Sequence, residues 1–427
     1  MVTLSRTAEI RATAQHDVPR AEAMLAALIA DLFAIPVADL RINHDQYSLN
    51  SLNGFFTSDG ADFFFKFHQE EGEELMRGEY YRADILSRAG LPVDQPVHIS
   101  TLPGEQLLVY RRRSDPRFSD VLFALDQQPD PVAMDRAAGA EARLNDQILD
   151  CARASLTPIT PAQSRAEPIH RLFHERLIDP ARGHYPGGRL ADFYVGKRFD
   201  LPGVTLEWAD LACARPVLNG AEHSRSVSEM FDLAHARYAP DMLADAGGMV
   251  AHGDAHNANV WYERGDAADR LSFFDPAFAG DHVPTLLAEV KSTFHNIFAH
   301  PFWLYNPDLA EARFTARAAF DGTRLAIDTD WTPGPMRERL LAVKARHFWK
   351  PWLAELARRD MLPQDWQDVI RIGLFLSPTL VMNLRAGAGR HNPTSSAIAL
   401  FVALSAGSPP LSGQDIFTEF FAEIAPE

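Results

Sequence analysis

Apolar residues recur along this chain at strand spacing in some segments and at helical spacing in others. The two spacings predict a part that contains a β-sheet and a part that is mainly helical. Residues 20–34, RAEAMLAALIADLFA, place apolar side chains every three or four positions, which predicts a helix. The segments NGFFT and DFFFKFH are rich in strand-forming residues and are separated by SDGA, which predicts a β-hairpin. EEGEELMRGEYYRADILSRAG predicts a helix that ends at Gly90, and LPVDQPVHIS and GEQLLVYRRRS predict two further strands.

Helical patterns dominate from about residue 115 onward. They cover residues 137–155, 225–245, 283–299, 309–321, 335–358 and 364–385. Residues 157–222 are rich in proline and irregular in pattern, and we interpret them as a candidate insertion. We therefore predict an α+β protein with two lobes and a cleft between them: a small sheet lobe over residues 1–110 and a larger, mainly helical lobe over residues 111–427.

Composition narrows the class of protein. The chain has 427 residues, of which 46% are hydrophobic and 23% charged, as in soluble globular proteins. Its two cysteines, Cys151 and Cys213, are too few for a disulfide framework or a cysteine zinc motif, which favours the cytoplasm. No signal peptide and no run of 18 or more apolar residues is present, so we expect no membrane partner.

The formal net charge of −16 bears on the partners of the protein. A nucleic-acid partner is not expected, because phosphate backbones require a basic surface. An acidic protein would suit a cationic small substrate through electrostatic steering, although solubility alone also accounts for such a charge.

The segment VAHGDAHNANVWY concentrates polar side chains ahead of an apolar strand. NVWYE and RLSFFD predict two strands joined by the turn RGDAAD, and the second strand ends at Asp275. A hairpin brings its two ends together, so Asn259 and Asp275 should be neighbours, with Asp254 one short loop away. Two carboxylates and a carboxamide without thiols are hard oxygen ligands that suit Mg²⁺.

This set of groups fits phosphoryl transfer of the kinase type. Asn259 and Asp275 would hold Mg²⁺, and Asp254 would accept a proton from the attacking hydroxyl. Lys66, inside the strand DFFFKFH, would neutralise the α- and β-phosphates of ATP. A carboxylate on the next helix would hold this lysine in place.

HGDAHNAN resembles the HGDxxxxN catalytic loop of the aminoglycoside phosphotransferase and choline kinase superfamily, the protein-kinase-like small-molecule kinases. FFDPAFAGD resembles the metal-binding Asp segment of that superfamily. The resemblance is strongest over residues 249–282, and order and spacing extend it to about 40–110. It implies a bilobal protein-kinase-like fold, with Asp254 as the catalytic base and Asn259 and Asp275 as magnesium ligands. His252 would orient the loop, and Lys66 would be the nucleotide lysine.

The same resemblance implies further nucleotide-binding residues. Glu79 would be the carboxylate partner of Lys66, and Val109 and Tyr110 would form the hinge that meets adenine. No GxGxxG motif is present, and YSLNSLNG would take its place as a phosphate-covering loop. In that loop we expect Ser51, Asn53 and Gly54 to offer hydroxyl, amide and backbone groups.

These patterns predict an ATP- and Mg²⁺-dependent phosphotransferase that acts on a hydroxyl of a small molecule, such as an aminoglycoside, an amino alcohol or a sugar. Two alternatives stay open at this point. One is a nucleotide-binding pseudokinase or regulatory module. The other is a metal-dependent hydrolase that uses His252, Asp254 and His256. We interpret residues 292–307 mainly as core, with His295 and Trp303 as secondary candidates for a substrate pocket. Residues 111–113, three arginines, are expected to form a solvated loop, with contact to nucleotide or substrate as the alternative.

Overall fold

The structure, a computed structural model, describes residues 5–43, 51–68, 82–100, 102, 105 and 107–426. The side chains of residues 51, 67 and 68 lie outside this description. The first elements are helices α1 (Arg6–Ala14), α2 (Val18–Phe33) and α3 (Ala83–Arg88) and strands β1 (Ala38–Ile42), β2 (Ser51–Ser58), β3 (Ala61–His68), β4 (His98–Ser100) and β5 (Leu107–Arg111).

Strands β1–β5 form one antiparallel sheet in the order β1-β2-β3-β5-β4. The predicted hairpin is β2–β3, and its turn residues Asp59 and Gly60 both have positive φ, as a two-residue turn of type I′ requires. α2 follows the predicted 20–34 helix closely, and its Leu25, Leu28 and Ile29 are fully buried. They belong to the same apolar cluster as the buried residues of β2, β3 and β5, so α2 covers one face of the sheet.

The rest of the chain is mainly helical. Its helices are α4 (Phe118–Gln127), α5 (Pro131–Ser155), α6 (Pro161–Ala166), α7 (Gly188–Phe193), α8 (Trp208–Cys213), α9 (Val227–Arg237), α10 (Val290–Thr293), α11 (Pro307–Arg313), α12 (Gly334–Lys344), α13 (Lys350–Arg358), α14 (Trp366–Thr379), α15 (Pro393–Gly407) and α16 (Ile416–Ile424). Its strands are β6 (Arg198–Leu201), β7 (Val204–Glu207), β8 (Arg215–Leu218), β9 (Ala221–Glu222), β10 (Gly248–Ala251), β11 (Val260–Glu263), β12 (Arg270–Phe273), β13 (Gly280–Pro284), β14 (Ala316–Phe320) and β15 (Arg324–Thr329). π-helical turns continue α10 over residues 294–298 and join α12 to α13 over residues 345–349.

This arrangement confirms the predicted α+β class, with an antiparallel sheet before a larger helical part. The buried apolar side chains form two clusters, one under the N-terminal sheet and one through the helical part. The boundary between the lobes, at residues 110 and 111, stays a prediction. Within the described ranges, no helix is long and apolar enough to cross a membrane.

Two predictions about the helical part are wrong in detail. The predicted 309–321 helix ends at Arg313, and ARAAF becomes strand β14, because its backbone pairs with β15 over Ala316–Phe320. Residues 157–222 are not irregular throughout: they contain α6–α8 and β6–β9, and β8 pairs in parallel with β15. Short elements of four to six residues carry too little periodicity to be recognised in the sequence.

One ion pair lies inside the helical core. Arg337 on α12 is fully buried and donates to both carboxylate oxygens of Asp126 on α4, with nitrogen–oxygen distances of 2.6–3.1 Å. Its remaining Nη1 donates to the carbonyl of Asn296 at 2.6 Å. The pair therefore joins α4, α12 and the π-helical turn after α10.

We expect Arg337→Met to lower the free energy of unfolding by about 3–5 kcal/mol, because it leaves the buried Asp126 carboxylate without its cation. Urea unfolding measures this change. The matched control is Arg165→Met, which removes an exposed pair with Asp241 and should cost under about 1 kcal/mol. Equal losses in the two variants would show that the buried pair has no special role.

Candidate active site

The polar loop between β10 and β11 lies beside the end of β12. Strands β11 and β12 pair from Val260 opposite Phe273 to Glu263 opposite Arg270. The Phe274 N–H donates to the Asn259 carbonyl at 3.0 Å, which extends the pairing by one residue. The predicted hairpin is confirmed, and its two ends bring residue 259 beside residue 275.

His252 ties this loop to the segment that carries Asp275. The ring is buried, its Nδ1 accepts from the Asp254 N–H at 3.3 Å, and its Nε2 donates to the Phe274 carbonyl at 3.1 Å. Burial lowers the pKa of His252, so the ring is neutral, as these two hydrogen bonds require. His252 therefore lies where a residue that orients the loop should lie.

Gly253 gives the loop its sharp turn. Its φ is +74°, and a Cβ at this position would come within 2.4 Å of the Phe278 carbonyl oxygen. A side chain would therefore push apart the two segments that carry Asp254 and Asp275.

Asp254 is almost fully buried between two basic side chains. Its Oδ1 lies 2.5 Å from Nζ of Lys291 on α10 and 3.6 Å from Nε2 of His256. Burial is the main cause that lowers the pKa of His256, to about 4, so this histidine is neutral at physiological pH. Lys291 is itself buried, and the attraction of Asp254 opposes the burial that lowers its pKa.

Asn259 has a fixed amide orientation. Its Nδ2 donates to the Asp254 carbonyl at 3.0 Å, so its Oδ1 is the atom left to approach a cation. Asp275 adopts φ +56°, a left-handed conformation that is uncommon outside glycine and that clusters at functional sites. The carboxamide and the carboxylate thus sit at neighbouring ends of one hairpin.

Lys66 joins the sheet to this hairpin. It lies on β3, the central strand of the sheet, opposite Asn53 of β2 and Leu108 of β5. Its Nζ forms an ion pair with Oδ1 of Asp275, 209 residues further along the chain. The structure therefore brings together Lys66, Asp254, Asn259 and Asp275, the four residues that the sequence predicts to carry the chemistry. Lys66 contacts Asp275, the hairpin places Asn259 beside residue 275, and Asn259 bonds to the backbone of Asp254.

The sheet face that carries Lys66 identifies neighbours for a nucleotide. Side chains at alternate positions of a strand share a face, so Phe64, Leu108 and Tyr110 lie on the face of Lys66. Val109 points to the opposite face, where it is fully buried in the apolar cluster under α2, and its carbonyl accepts from the Val97 N–H at 2.7 Å. The Val109 side chain therefore does not line the face that carries Lys66, whereas the Tyr110 side chain does. That residues 109 and 110 form a hinge that meets adenine stays a prediction.

The structure describes the predicted phosphate-covering loop, residues 47–54, only from residue 51 onward. Ser51, Asn53 and Gly54 lie within strand β2 and not in a loop, because their backbones pair with His68, Lys66 and Phe65. Asn53 is buried directly opposite Lys66 and accepts from Nδ2 of Asn43 at 3.1 Å. Glu79, the predicted partner of Lys66, lies outside the described residues.

The three arginines after β5 have structural contacts. Arg113 donates to Asp94, Asp115 and Glu263 at 2.7–3.0 Å, and it links the end of the sheet to the β11–β12 hairpin. Arg111 and Arg112 lie over phenylalanine rings of the sheet.

The two secondary candidates for a substrate pocket, Trp303 and His295, lie in different surroundings. Trp303 is fully buried and donates to the Phe298 carbonyl at 2.7 Å, so it belongs to the core. His295 lies in the vicinity of the catalytic loop: its ring centroid is 6.0 Å from that of His256, and its Nδ1 is 2.7 Å from the Tyr305 hydroxyl. It remains a candidate for a substrate pocket.

The metal-hydrolase alternative finds no support in this geometry. Both ring nitrogens of His252 are engaged in hydrogen bonds. Over the described part of the chain, no group of three or more histidine, cysteine, aspartate or glutamate side chains is arranged to hold a metal ion. The oxygens of Asn259 and Asp275 fit Mg²⁺ instead, which fills its remaining positions with water and substrate phosphates.

Two residues that sequence reasoning missed, the buried Glu167 and the half-buried Arg82, hold the segment after Asp275. Glu167 accepts from the His282 N–H at 2.9 Å, and a Cβ on Gly280 would overlap its Oε2. Arg82 donates to the Ala279 carbonyl at 2.9 Å. Burial raises the pKa of Glu167 to about 7, although the hydrogen bond from His282 and the charge of Arg82 oppose this rise.

No protein-family model matches the chain, and no curated protein is detectably similar in sequence. The similar solved structures include a thermostable mutant of aminoglycoside phosphotransferase APH(4)-Ia, at 14% identity over 90% of this chain and 99% of that one, with a TM-score of 0.42. Macrolide 2'-phosphotransferase MphH from Brachybacterium faecium is 14% identical over 92% of this chain and 100% of that one, with a TM-score of 0.36. Spectinomycin phosphotransferase APH(9)-Ia, in complex with ADP and spectinomycin, is 12% identical over 90% of this chain and 98% of that one, with a TM-score of 0.34.

These structures are small-molecule phosphotransferases, the class that the sequence resemblance predicts. At identities and TM-scores this low they identify no reaction for this chain. The function therefore rests on the chemistry of the site.

The raised pKa of Glu167 predicts a loss of stability with rising pH. The unfolded chain releases this proton near pH 4.5 and the folded protein only near pH 7, so the free energy of unfolding falls between these values by on the order of 2–3 kcal/mol. Glu167→Gln carries no titrating proton and should show a smaller fall in urea unfolding between pH 5 and pH 8. Glu338→Gln, at an exposed glutamate, should keep the wild-type fall. An unchanged fall in Glu167→Gln would contradict the raised pKa.

Proposed function

We propose that this protein is an ATP- and Mg²⁺-dependent phosphotransferase that moves the γ-phosphoryl group to a hydroxyl of a small molecule. The observation that carries the proposal is the contact between Lys66, buried on the central strand of the sheet, and Asp275, at the end of the hairpin that also positions Asn259. A cation on a sheet and oxygen ligands beside it are the arrangement that a nucleotide triphosphate with Mg²⁺ requires.

Each residue has one role in this proposal. Asn259 Oδ1 and the Asp275 carboxylate would hold Mg²⁺, which neutralises charge on the phosphates. Lys66 would bind the α- and β-phosphates, beside Asn53 and on the same sheet face as Tyr110. The side chain of Tyr110, together with backbone of β5, would lie near the base.

Asp254 would accept the proton of the attacking hydroxyl. Its carboxylate forms an ion pair with Lys291, and neutral His256 beside it adds no competing charge. His252 fixes the backbone on which Asp254 stands. A buried carboxylate held by an ion pair, on a backbone fixed by hydrogen bonds, can meet an incoming hydroxyl with little reorganisation.

The pseudokinase alternative would bind nucleotide without turnover. No specific observation favours it, and Asp254, Asn259, Asp275 and Lys66, the residue types that phosphoryl transfer needs, are all present and lie close together, which supports the enzyme instead. The cytoplasmic location, the lack of nucleic-acid and membrane partners and the role of Glu79 stay predictions. Oligomeric state is left open.

We expect Asp254→Asn to lower phosphoryl transfer by about 10²–10⁴-fold, because the amide cannot accept the proton. Affinity for a non-hydrolysable ATP analogue should change little, since Lys66 and Asp275 are intact. The measurement is Mg²⁺-dependent ADP release with a panel of small alcohols, sugars, amino alcohols and aminoglycosides, together with calorimetric binding of the analogue.

The matched control is Asp266→Asn, an exposed aspartate in the turn of the same hairpin, which should keep wild-type rates. Wild-type rates in Asp254→Asn would remove the assigned base. Tight analogue binding by the wild type with no transfer to any hydroxyl would favour the pseudokinase alternative.

A further inference from the structure

Both carboxylates that the proposed reaction uses are paired with a buried lysine. Asp275 forms an ion pair with Lys66 of the sheet, and Asp254 contacts Nζ of Lys291 on α10 at 2.5 Å. With nucleotide bound, Mg²⁺ would engage Asp275 in place of Lys66. Neither carboxylate is therefore left as an uncompensated negative charge for an acceptor molecule.

A third buried carboxylate, two residues before Lys291, is compensated in the same way. Glu289 lies directly before α10, and its Oε2 contacts Nζ of Lys344 on α12 at 2.6 Å. Lys344 also donates to Oδ1 of Asn145 on α5 at 2.7 Å, which turns this pair towards the helical core. Glu289 therefore adds no free negative charge beside the base.

The ammonium group of Lys291 lies close to the path of an acceptor. Oδ1 of Asp254, the oxygen that Lys291 contacts, is closed off from solvent, whereas the whole side chain keeps 12% exposure. Oδ2 is thus the carboxylate oxygen left to accept a proton. A hydroxyl bonded to Oδ2 would lie within roughly 7 Å of the Lys291 ammonium group, which is less than the Debye length in physiological salt.

The rings beside the base offer hydrogen bonds without negative charge. Nε2 of His256 lies 3.6 Å from Oδ1 of Asp254, and the ring centroid of His256 is 6.0 Å from that of His295. His295 in turn contacts the Tyr305 hydroxyl at 2.7 Å. Burial lowers the pKa of both histidines, and protonation of either ring would only add positive charge. Imidazole and phenol groups can bond to the hydroxyls of a polyol.

We propose that Lys291 determines acceptor specificity by excluding compounds with an ammonium group near the reacting hydroxyl, so that the acceptor is an uncharged polyhydroxyl compound of the sugar or polyol class. This inference rests on the proposed function. An ammonium group would meet Lys291 and find its carboxylate already paired, after losing its own hydration. A carboxylate on the acceptor would meet Asp254 and find Lys291 already paired.

The charge of the whole chain acts differently from these local contacts. The net charge of −16 attracts cations from a distance and raises their encounter rate. Contacts at the base act over a few ångströms and with less screening, so they decide which of the encountered molecules reacts.

The test is competition between acceptors that share a skeleton and differ in charge. The full chain, with ATP and Mg²⁺ at pH 7 and constant ionic strength, receives equal amounts of sorbitol, glucamine and gluconate. A second series contains glycerol, aminopropanediol and glycerate. The ratio of phosphorylated products, measured by mass spectrometry, gives the ratio of the kcat/KM values. We expect the uncharged member to react at least tenfold faster than the ammonium member, and faster than the carboxylate member.

Lys291→Met removes the ammonium group at similar side-chain length. It should lower the preference for the uncharged over the ammonium member by tenfold or more and leave KM for ATP unchanged, because Asp254 is then an unpaired carboxylate that attracts the amine. Lys291→Arg keeps the charge and should keep the preference. A purely structural role of Lys291 changes the amount of active protein but not the ratio of products.

Arg237→Met is the matched control. It also removes a buried cation from an ion pair, with Asp365 at 2.7 Å, but that pair joins α9 to the start of α14. It should keep the wild-type ratio of products. Thermal unfolding shows whether each variant is folded, and Lys291→Gln is the second uncharged variant if Lys291→Met does not fold.

Faster phosphorylation of the ammonium or the carboxylate member by the wild type would overturn the inference. An unchanged ratio in a folded, uncharged Lys291 variant would also overturn it, and if neither variant folds the wild-type ratio decides. A wild type that phosphorylates no acceptor contradicts the proposed function, and the inference fails with it. In the other failures phosphoryl transfer persists, so the two kinds of failure are distinguishable.

Discussion

The ion pair between Lys66 and Asp275 is the interaction on which the account of this protein depends. It connects the central strand of the sheet with the end of the β11–β12 hairpin, across 209 residues of sequence. A buried ammonium group is costly unless an anion compensates it, so the pair fixes how the sheet meets the catalytic loop. Nucleotide phosphates and Mg²⁺ would enter between these two groups. Lys66 would then pair with phosphate and Asp275 with Mg²⁺, in place of their pair with each other.

Local packing also separates the charges to which the proposed function gives two different tasks. On the sheet side, Lys66 faces oxygen ligands that suit a metal–nucleotide complex. On the helical side, Lys291 faces Asp254. Lys66 contacts the proposed metal ligand Asp275, and Lys291 contacts the proposed base Asp254. The two carboxylates therefore have different partners, although they lie on neighbouring segments. His252, hydrogen-bonded to both segments, holds that separation.

Sequence reasoning succeeded where a feature depends on neighbouring residues. The hairpin that joins Asn259 to Asp275, the turn at Asp59 and Gly60, and Lys66 on a strand all follow from short patterns. It failed where tertiary contacts decide. Lys291 lies in an apolar helical run and pairs with Asp254 only after folding.

The most direct test of the central claim is the coupling between Mg²⁺ and nucleotide at Asp275. Calorimetry gives the dissociation constant of a non-hydrolysable ATP analogue with Mg²⁺ and with chelator, for the wild type, Asp275→Asn and Lys66→Met. A shared site predicts that Mg²⁺ tightens wild-type binding at least tenfold, that Asp275→Asn loses this effect, and that Lys66→Met weakens binding under both conditions. Equal Mg²⁺ effects in the wild type and Asp275→Asn, or unchanged affinity in Lys66→Met, would contradict a common site for the metal and the triphosphate.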